Sequence, residues 1–267
     1  MFEMDVRMSQ DGVIVVCHDE SLLRCTDAES KFPHRTSYNI WEFSYEELSS
    51  LDAGSWFAKQ LLLPPEQRQP FLQGLQDTEM WDFISLMDRA LYVSGKVKIP
   101  TLKETLNLAQ ELNLMVNIEL KTQANAGLDF VTKVIDEVNT SGMAERVRIS
   151  SFSRQLLQYA RSCSERISLA FLTDTPLKAP VTSLKKLNVN AYHLGIYNGY
   201  KVNKMYKLFT RRYINHLKRV RNAGFVTSVW TCNEPREAAE LIVAGIDGII
   251  SDYPNRVKSV LDHKLSG

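Results

Sequence analysis

The strongest constraint on the fold is an alternation of strand and helix patterns that runs from about residue 100 to the end of the chain. Short apolar runs typical of buried strands alternate with stretches that repeat apolar residues at the 3.6-residue period of helices. The strand-like runs begin at residues 114, 146, 167, 189, 225 and 247. This alternation predicts parallel strands joined by crossover helices.

A further strand is predicted over residues 2–8, where apolar and polar side chains alternate. Residues 13–17 follow an Asp11-Gly12 turn signal and are assigned to a hairpin arm. Seven parallel strands result, one fewer than a closed TIM (β/α)8-type barrel contains. We therefore predict such a barrel with its first strand missing. The strand at 2–8 and the strand at 247–251 should then each have an unpaired edge at that place.

The 267 residues fit a single barrel domain over 1–267, because α/β barrels of about 250 residues form one domain. Residues 54–98 interrupt the alternation and are too long for a simple loop and too apolar for a disordered linker. We predict a helical insertion that covers the active-site end of the barrel. Its apolar residues either pack on one another or face a substrate or a membrane.

Several helix boundaries can be predicted from capping patterns. Thr101 and Glu104 form a capping box at the start of a helix. Asn233 is predicted to cap a helix with Pro235 in its first turn, and Gly245 to end that helix. His216 is predicted to lie on the surface of the helix around residues 213–222.

The overall charge gives no indication of a nucleic-acid partner, because 32 Lys and Arg residues balance 31 Asp and Glu residues. No apolar run approaches the ~18 residues of a spanning helix, and membrane contact is unsupported. Four scattered cysteines fit reduced thiols and predict a cytoplasmic location for the chain as given, although two disulfides are not excluded. An upstream signal or anchor would change that location. The oligomeric state is not indicated.

Charged side chains gather at the ends of two predicted strands. Glu3 and Asp5 are two residues apart and so share one side of a strand, as do Glu119 and Lys121. Three carboxylates converging from adjacent strands repel one another unless a cation lies among them. All-oxygen ligands suit Mg²⁺ or Ca²⁺. We predict one divalent cation at this site, the alternative being that Glu3 and Asp5 lie on a solvated face.

Two more residues, His18 and Trp230, stand at strand ends beside Lys121. His18 closes the run at 13–17 and is either a general acid or base or an ordinary turn residue. Lys121 suits a phosphate group but also a plain surface position. Trp230 lies near the end of the strand at 225–231 and is a candidate for a pocket wall or for the core.

The segment EMDVRMSQDGVIVVCHDESLLRCT (3–26) resembles the family of glycerophosphodiester phosphodiesterases. Ordered further matches are LDAGSWF (51–57), KIPTLKETL (98–106), NIELK (117–121), SSF (150–152), VWTCN (229–233) and GIDGIISDYP (245–254). The resemblance implies a TIM barrel and the metal-dependent hydrolysis of a glycerophosphodiester to glycerol 3-phosphate and an alcohol.

By this resemblance Glu3, Asp5 and Glu119 correspond to ligands of a divalent cation, Ca²⁺ or Mg²⁺. His18 corresponds to one of two catalytic histidines, Lys121 to a phosphate contact and Trp230 to a pocket-wall aromatic. The substrate implied is a small glycerophosphodiester.

This sequence departs from the family at its start. The family begins with an H-R-G strand and an E-N-T step, which hold the other histidine and a phosphate-binding arginine, and this sequence starts after both. A non-catalytic binding module is therefore an alternative. So is a phospholipase-D-type activity on lysophospholipids or sphingomyelin.

Overall fold

The computed structural model describes the chain except for residues 77, 81–83, 125, 197–205 and 266–267. The chain forms two compact units that alternate along the sequence. One unit comprises Met1–Glu3, Met115–Leu120 and Gly142–Gly267, and the other comprises Met4–Leu114 and Lys121–Ser141.

One sheet contains eight strands from the described residues, and their sequence numbers give the spatial order β2-β1-β3-β4-β5-β6-β7-β8. The strands are β1 (Phe2–Met8), β2 (Ile14–Val16), β3 (Val116–Leu120), β4 (Val147–Ser151), β5 (Ser168–Thr173), β6 (Ala191–Gly195), β7 (Val226–Trp230) and β8 (Gly248–Ile249). Each neighbouring pair from β3 to β8 is parallel. Backbone bonds from Phe2 to Met115 and from Lys121 to Val6 align β1 with β3 in the same direction.

Helices follow most strands and carry the chain back to the start of the next one. They are α1 (Ala28–Lys31), α2 (Tyr45–Ser50), α3 (Ser55–Leu61), α4 (Leu86–Val93), α5 (Leu102–Glu111), α6 (Asp129–Thr140), α7 (Arg154–Cys163), α8 (Pro180–Leu187), α9 (Tyr206–Asn222), α10 (Pro235–Ala244) and α11 (Pro254–Leu265). Within the described part of the chain, no helix has both the length and the apolar character needed to cross a membrane. All four cysteines are thiols, so neither of the two disulfides is formed.

The predicted fold is confirmed, because all seven predicted parallel strands are present and helices connect them as in a TIM-type barrel. One detail of the prediction is wrong. The outer edge of β1 is not unpaired over its second half, because β2 pairs antiparallel with Val6–Met8 and the Cys17 N–H donates to the Asp5 carbonyl at 2.9 Å. Gly12, at a φ of +84°, allows the tight turn that folds this arm back. The other end of the sheet order is β8.

Some of the described residues of the segment 54–98 form helices. The segment contains α3, α4 and two 3₁₀ turns, Pro65–Gln67 and Pro70–Leu72. The two helices pack through the rings of Phe57 and Tyr92, whose centroids are 5.1 Å apart. Most apolar side chains of α4 are exposed, including Leu86, Met87 and Val93. Whether they pack on one another, face a substrate or face a membrane stays a prediction.

His193 lies within β6 and is 2% exposed, and neither of its ring nitrogens has a hydrogen-bond partner among the described residues. Burial, helped by the nearby charge of Arg148, lowers the pKa of His193 to about 3. In the unfolded chain this histidine is protonated near pH 6.5, whereas in the folded chain it is protonated only near pH 3. The free energy of unfolding therefore falls as pH decreases through this window.

We expect His193→Leu to remove a slope of up to ~1.4 kcal/mol per pH unit between pH 6.5 and 4. Urea unfolding at pH 7 and pH 5 measures this slope, and His34→Leu, which changes an exposed histidine, is the control. If the pH dependence of the free energy of unfolding were the same in His193→Leu as in the unaltered protein, His193 would not be its cause.

Candidate active site

Three carboxylates meet where β1 and β3 lie side by side. The alternation of β1 puts Glu3 and Asp5 on one side of the strand, and Glu119 is the fourth residue of β3. The carboxylate oxygens of the three residues lie within 4.8 Å of one another. This oxygen-only donor set fits Ca²⁺ or Mg²⁺, because a hard cation relieves the repulsion between carboxylates so close together.

Lys121 belongs to the same region. Its Nζ lies 3.0 Å from Oδ1 of Asp5, and the two side chains are 18% and 16% exposed. The ammonium group therefore offsets part of the negative charge of the carboxylates. It is too enclosed to be a plain surface lysine, and it is positioned beside a candidate cation ligand.

His18 follows β2 directly after Cys17 and remains largely exposed, with 63% of its side chain accessible to solvent. Its Nδ1 lies 2.7 Å from Oδ1 of Asp19. A neutral His18 that donates from Nδ1 to this carboxylate presents Nε2 as its proton-accepting nitrogen. The pair therefore has the arrangement of a general base whose ring is oriented by a carboxylate.

Asp19 is held in turn by Arg24, whose Nε contacts Oδ2 of Asp19. Burial alone would raise the pKa of Asp19, but the hydrogen bonds from Arg24 and His18 lower it below its ordinary value. The Arg24 guanidinium lies over the rings of Trp56, at 5.2 Å, and Phe71, at 5.8 Å. Both rings belong to the segment 54–98. The insertion thus contacts Arg24, the residue that binds Asp19. Whether the insertion covers the active-site end stays a prediction.

Replacing Asp19 by asparagine keeps the size of the side chain but removes the charge that orients His18 and binds Arg24. We expect Asp19→Asn to lower kcat about 10²-fold with little change in KM, because His18 would lose the partner that fixes its ring for proton transfer, a step worth about 10²–10⁴-fold. Steady-state kinetics measure the effect. Asp262→Asn, which changes an exposed carboxylate on α11, should behave as the unaltered protein, and equal kcat values for both variants would contradict the role of Asp19.

Trp230 ends β7 and is half-buried rather than part of the core. Its Nε1 donates to the His193 carbonyl at 3.4 Å, and its ring meets the edge of Phe152 at a centroid distance of 5.5 Å. Phe152 directly follows β4 and is 40% exposed. An aromatic pair therefore stands at the carboxyl ends of two strands. Sequence reasoning missed Phe152, although its position after a strand and within the SSF match was an available signal.

Comparison with known proteins identifies the family of the chain. The model of the glycerophosphoryl diester phosphodiesterase family matches residues 1–256. A glycerophosphodiester phosphodiesterase of Bacillus altitudinis is 26% identical over 97% of this chain and 84% of its own length. A glycerophosphoinositol inositolphosphodiesterase of Mus musculus is 36% identical over 121 residues, which are 45% of this chain and 19% of that protein.

Among solved structures, an Oleispira antarctica phosphodiesterase in complex with the product sn-glycerol-3-phosphate has the same fold. Its TM-score is 0.72 at 21% identity, over 97% of this chain and 84% of that one. The family match covers nearly all of the sequence, from β1 to the first residues of α11. The chain therefore belongs to the glycerophosphoryl diester phosphodiesterase family of enzymes.

Proposed function

We propose that this enzyme hydrolyses small glycerophosphodiesters to glycerol 3-phosphate and an alcohol, using one divalent cation bound by Glu3, Asp5 and Glu119. The observation that carries the proposal is the approach of these three carboxylates to within 4.8 Å of one another. The name of the Bacillus altitudinis relative and the glycerol 3-phosphate bound to the Oleispira antarctica protein support the same substrate class.

The cation, Ca²⁺ or Mg²⁺, would polarise a phosphate oxygen of the diester and offset the charge that develops there. Side chains of this protein are proposed to bind the phosphate and to transfer the proton. Lys121, 3.0 Å from Asp5, supplies a positive charge for the phosphate. The bound cation and the Lys121 ammonium group would together place two positive groups beside a dianionic product such as glycerol 3-phosphate.

His18 is proposed to move a proton to or from an oxygen on phosphorus through Nε2, while Asp19 holds the opposite ring nitrogen. Trp230 and Phe152 are proposed to form an apolar wall beside the bound diester. Exposed aromatic rings bury a large apolar area when a substrate packs against them.

A second candidate differs in the bond that is cleaved. The matched Mus musculus relative is named for an inositolphosphodiesterase activity on glycerophosphoinositol. Cleavage of that kind would release inositol phosphate and glycerol instead of glycerol 3-phosphate and inositol. In both reactions one water molecule is consumed and one P–O bond is broken.

Product analysis tests the proposal. The protein is incubated with glycerophosphocholine, glycerophosphoinositol or lysophosphatidylcholine in the presence of Ca²⁺ or Mg²⁺, and the phosphate esters are separated. Glycerol 3-phosphate from the first two substrates is the expected result. Inositol phosphate with glycerol would favour the second candidate, and lysophosphatidic acid with choline a phospholipase-D-type activity. Release of no phosphate ester from any substrate would contradict the proposal and favour a binding module.

A further inference from the structure

Arg7 is a buried cation on the same side of β1 as Asp5. The residue is 5% exposed, and its guanidinium bonds to backbone carbonyls. Its Nε and Nη2 donate to the His18 carbonyl at 3.1 and 2.9 Å, and its Nη1 donates to the Thr122 carbonyl at 3.2 Å. The alternation of β1 places Arg7 on this side but assigns it no role.

These two carbonyls belong to segments that carry candidate active-site residues. The first is the backbone of His18 itself, directly after the hairpin arm. The second is that of Thr122, which follows Lys121 at the exit of β3. One side chain therefore joins the backbone at the proposed proton-transfer residue to the backbone next to the proposed phosphate contact.

The chemistry of arginine is required for this contact. A planar guanidinium directs several N–H groups at fixed angles, so it can hold one carbonyl with two donors and reach a second carbonyl with a third. The ammonium group of lysine lacks this fork. Burial lowers the pKa of Arg7, while the nearest carboxylate, Glu20 at 3.8 Å, is itself largely exposed and opposes the shift. Burying this cation is costly, which argues for a specific use.

We infer that Arg7 is a positioning residue that fixes His18 relative to the backbone of Thr122, next to Lys121. The kinetic part of this inference rests on the proposed function. A displacement of about 1 Å at a reacting group costs on the order of 10²-fold in rate. Loss of the fork should therefore lower turnover while leaving the substrate-binding groups in place.

The test compares Arg7→Lys and Arg7→Met with Arg161→Lys. Arg161 also binds several backbone carbonyls, including those of Asn188 and Ser164, but at the amino-terminal ends of β5 and β6. Nitrogen chemical shifts of the His18 imidazole report its hydrogen bond to Asp19 without any turnover. Steady-state kinetics give kcat and KM, and circular dichroism with thermal unfolding confirms that each variant is folded.

We expect both Arg7 variants to shift the His18 resonances and to lower kcat about 10- to 100-fold, with KM within about 3-fold. Arg161→Lys should lower only the melting temperature. Unchanged His18 resonances in a folded Arg7→Lys protein would overturn the inference, as would an unchanged kcat. If Arg7→Met does not fold, Arg7→Lys decides. If the unaltered protein cleaves no diester, the proposed function fails, while the His18 resonances still test the role of Arg7.

Discussion

Replacing Glu119 by glutamine is expected to lower kcat/KM at least about 10²-fold and to weaken the binding of Ca²⁺ or Mg²⁺. The substitution preserves the shape of the side chain and removes one of three negative charges around the proposed cation site. Glu119 lies on β3 and is only 9% exposed, so water has little access to take the place of the lost carboxylate ligand. Transition-state charge stabilisation by a bound cation is worth several kcal/mol, which corresponds to the rate loss expected.

Isothermal titration with each cation measures affinity, and hydrolysis of glycerophosphocholine measures activity. Glu145→Gln is the matched control, because Glu145 forms an exposed ion pair with Arg166, which contributes little to stability. It should change neither quantity. A Glu119→Gln protein that binds the cation as tightly as the unaltered protein would rule out Glu119 as a ligand.

His18→Ala is expected to lower kcat between about 10²- and 10⁴-fold, the usual contribution of a general acid or base. KM should change little, because proton transfer lowers the energy of the transition state rather than that of the bound substrate. Affinity for the cation should be retained, since His18 is not one of the three clustered carboxylates. This retention distinguishes His18→Ala from Glu119→Gln.

His34→Ala provides the control for histidine replacement. His34 is exposed in the polar loop after α1 and lies in the same compact unit as His18. Its kcat should equal that of the unaltered protein. If His18→Ala turned over substrate at the same rate as His34→Ala, proton transfer by His18 would be excluded.

Local sequence patterns were sufficient to predict most of the fold. Strands were found because short apolar runs, and in β1 an apolar period of two, are visible without knowledge of the partner strands. The capping box of Thr101 and Glu104 is present at the start of α5, and Gly245 ends α10 with a φ of +75°. These two helix-end signals depend only on residues close together in sequence.

Features that depend on distant contacts could not be predicted. Asn233 does not cap α10, because its side chain bonds to Ser251 and Asp252 after β8. His216 is not at the surface, since it is 5% exposed and its ring lies 5.8 Å from that of Tyr192 on β6. The position of β2 on the edge of β1 likewise depends on tertiary pairing.

The candidate site shows the same division. The alternation of β1 and β3 was enough to predict that Glu3, Asp5 and Glu119 gather, because the period of a strand fixes the side on which a residue lies. The bonds from Arg7 to Thr122 and the stacking of Arg24 on Trp56 join residues far apart in sequence. No local pattern carries such information, so the groups that support His18 emerged only from the structure.

A cation held by Glu3, Asp5 and Glu119 should make hydrolysis depend on a bound divalent cation. The most direct test is the rate of glycerol 3-phosphate release from glycerophosphocholine as the concentration of free Ca²⁺ or Mg²⁺ is raised from zero in a chelator-buffered solution. We predict no release without the cation and a saturable rise with it, shifted to higher concentration in Glu119→Gln. A rate that is the same in excess chelator and in saturating cation would contradict a role for the cation in hydrolysis.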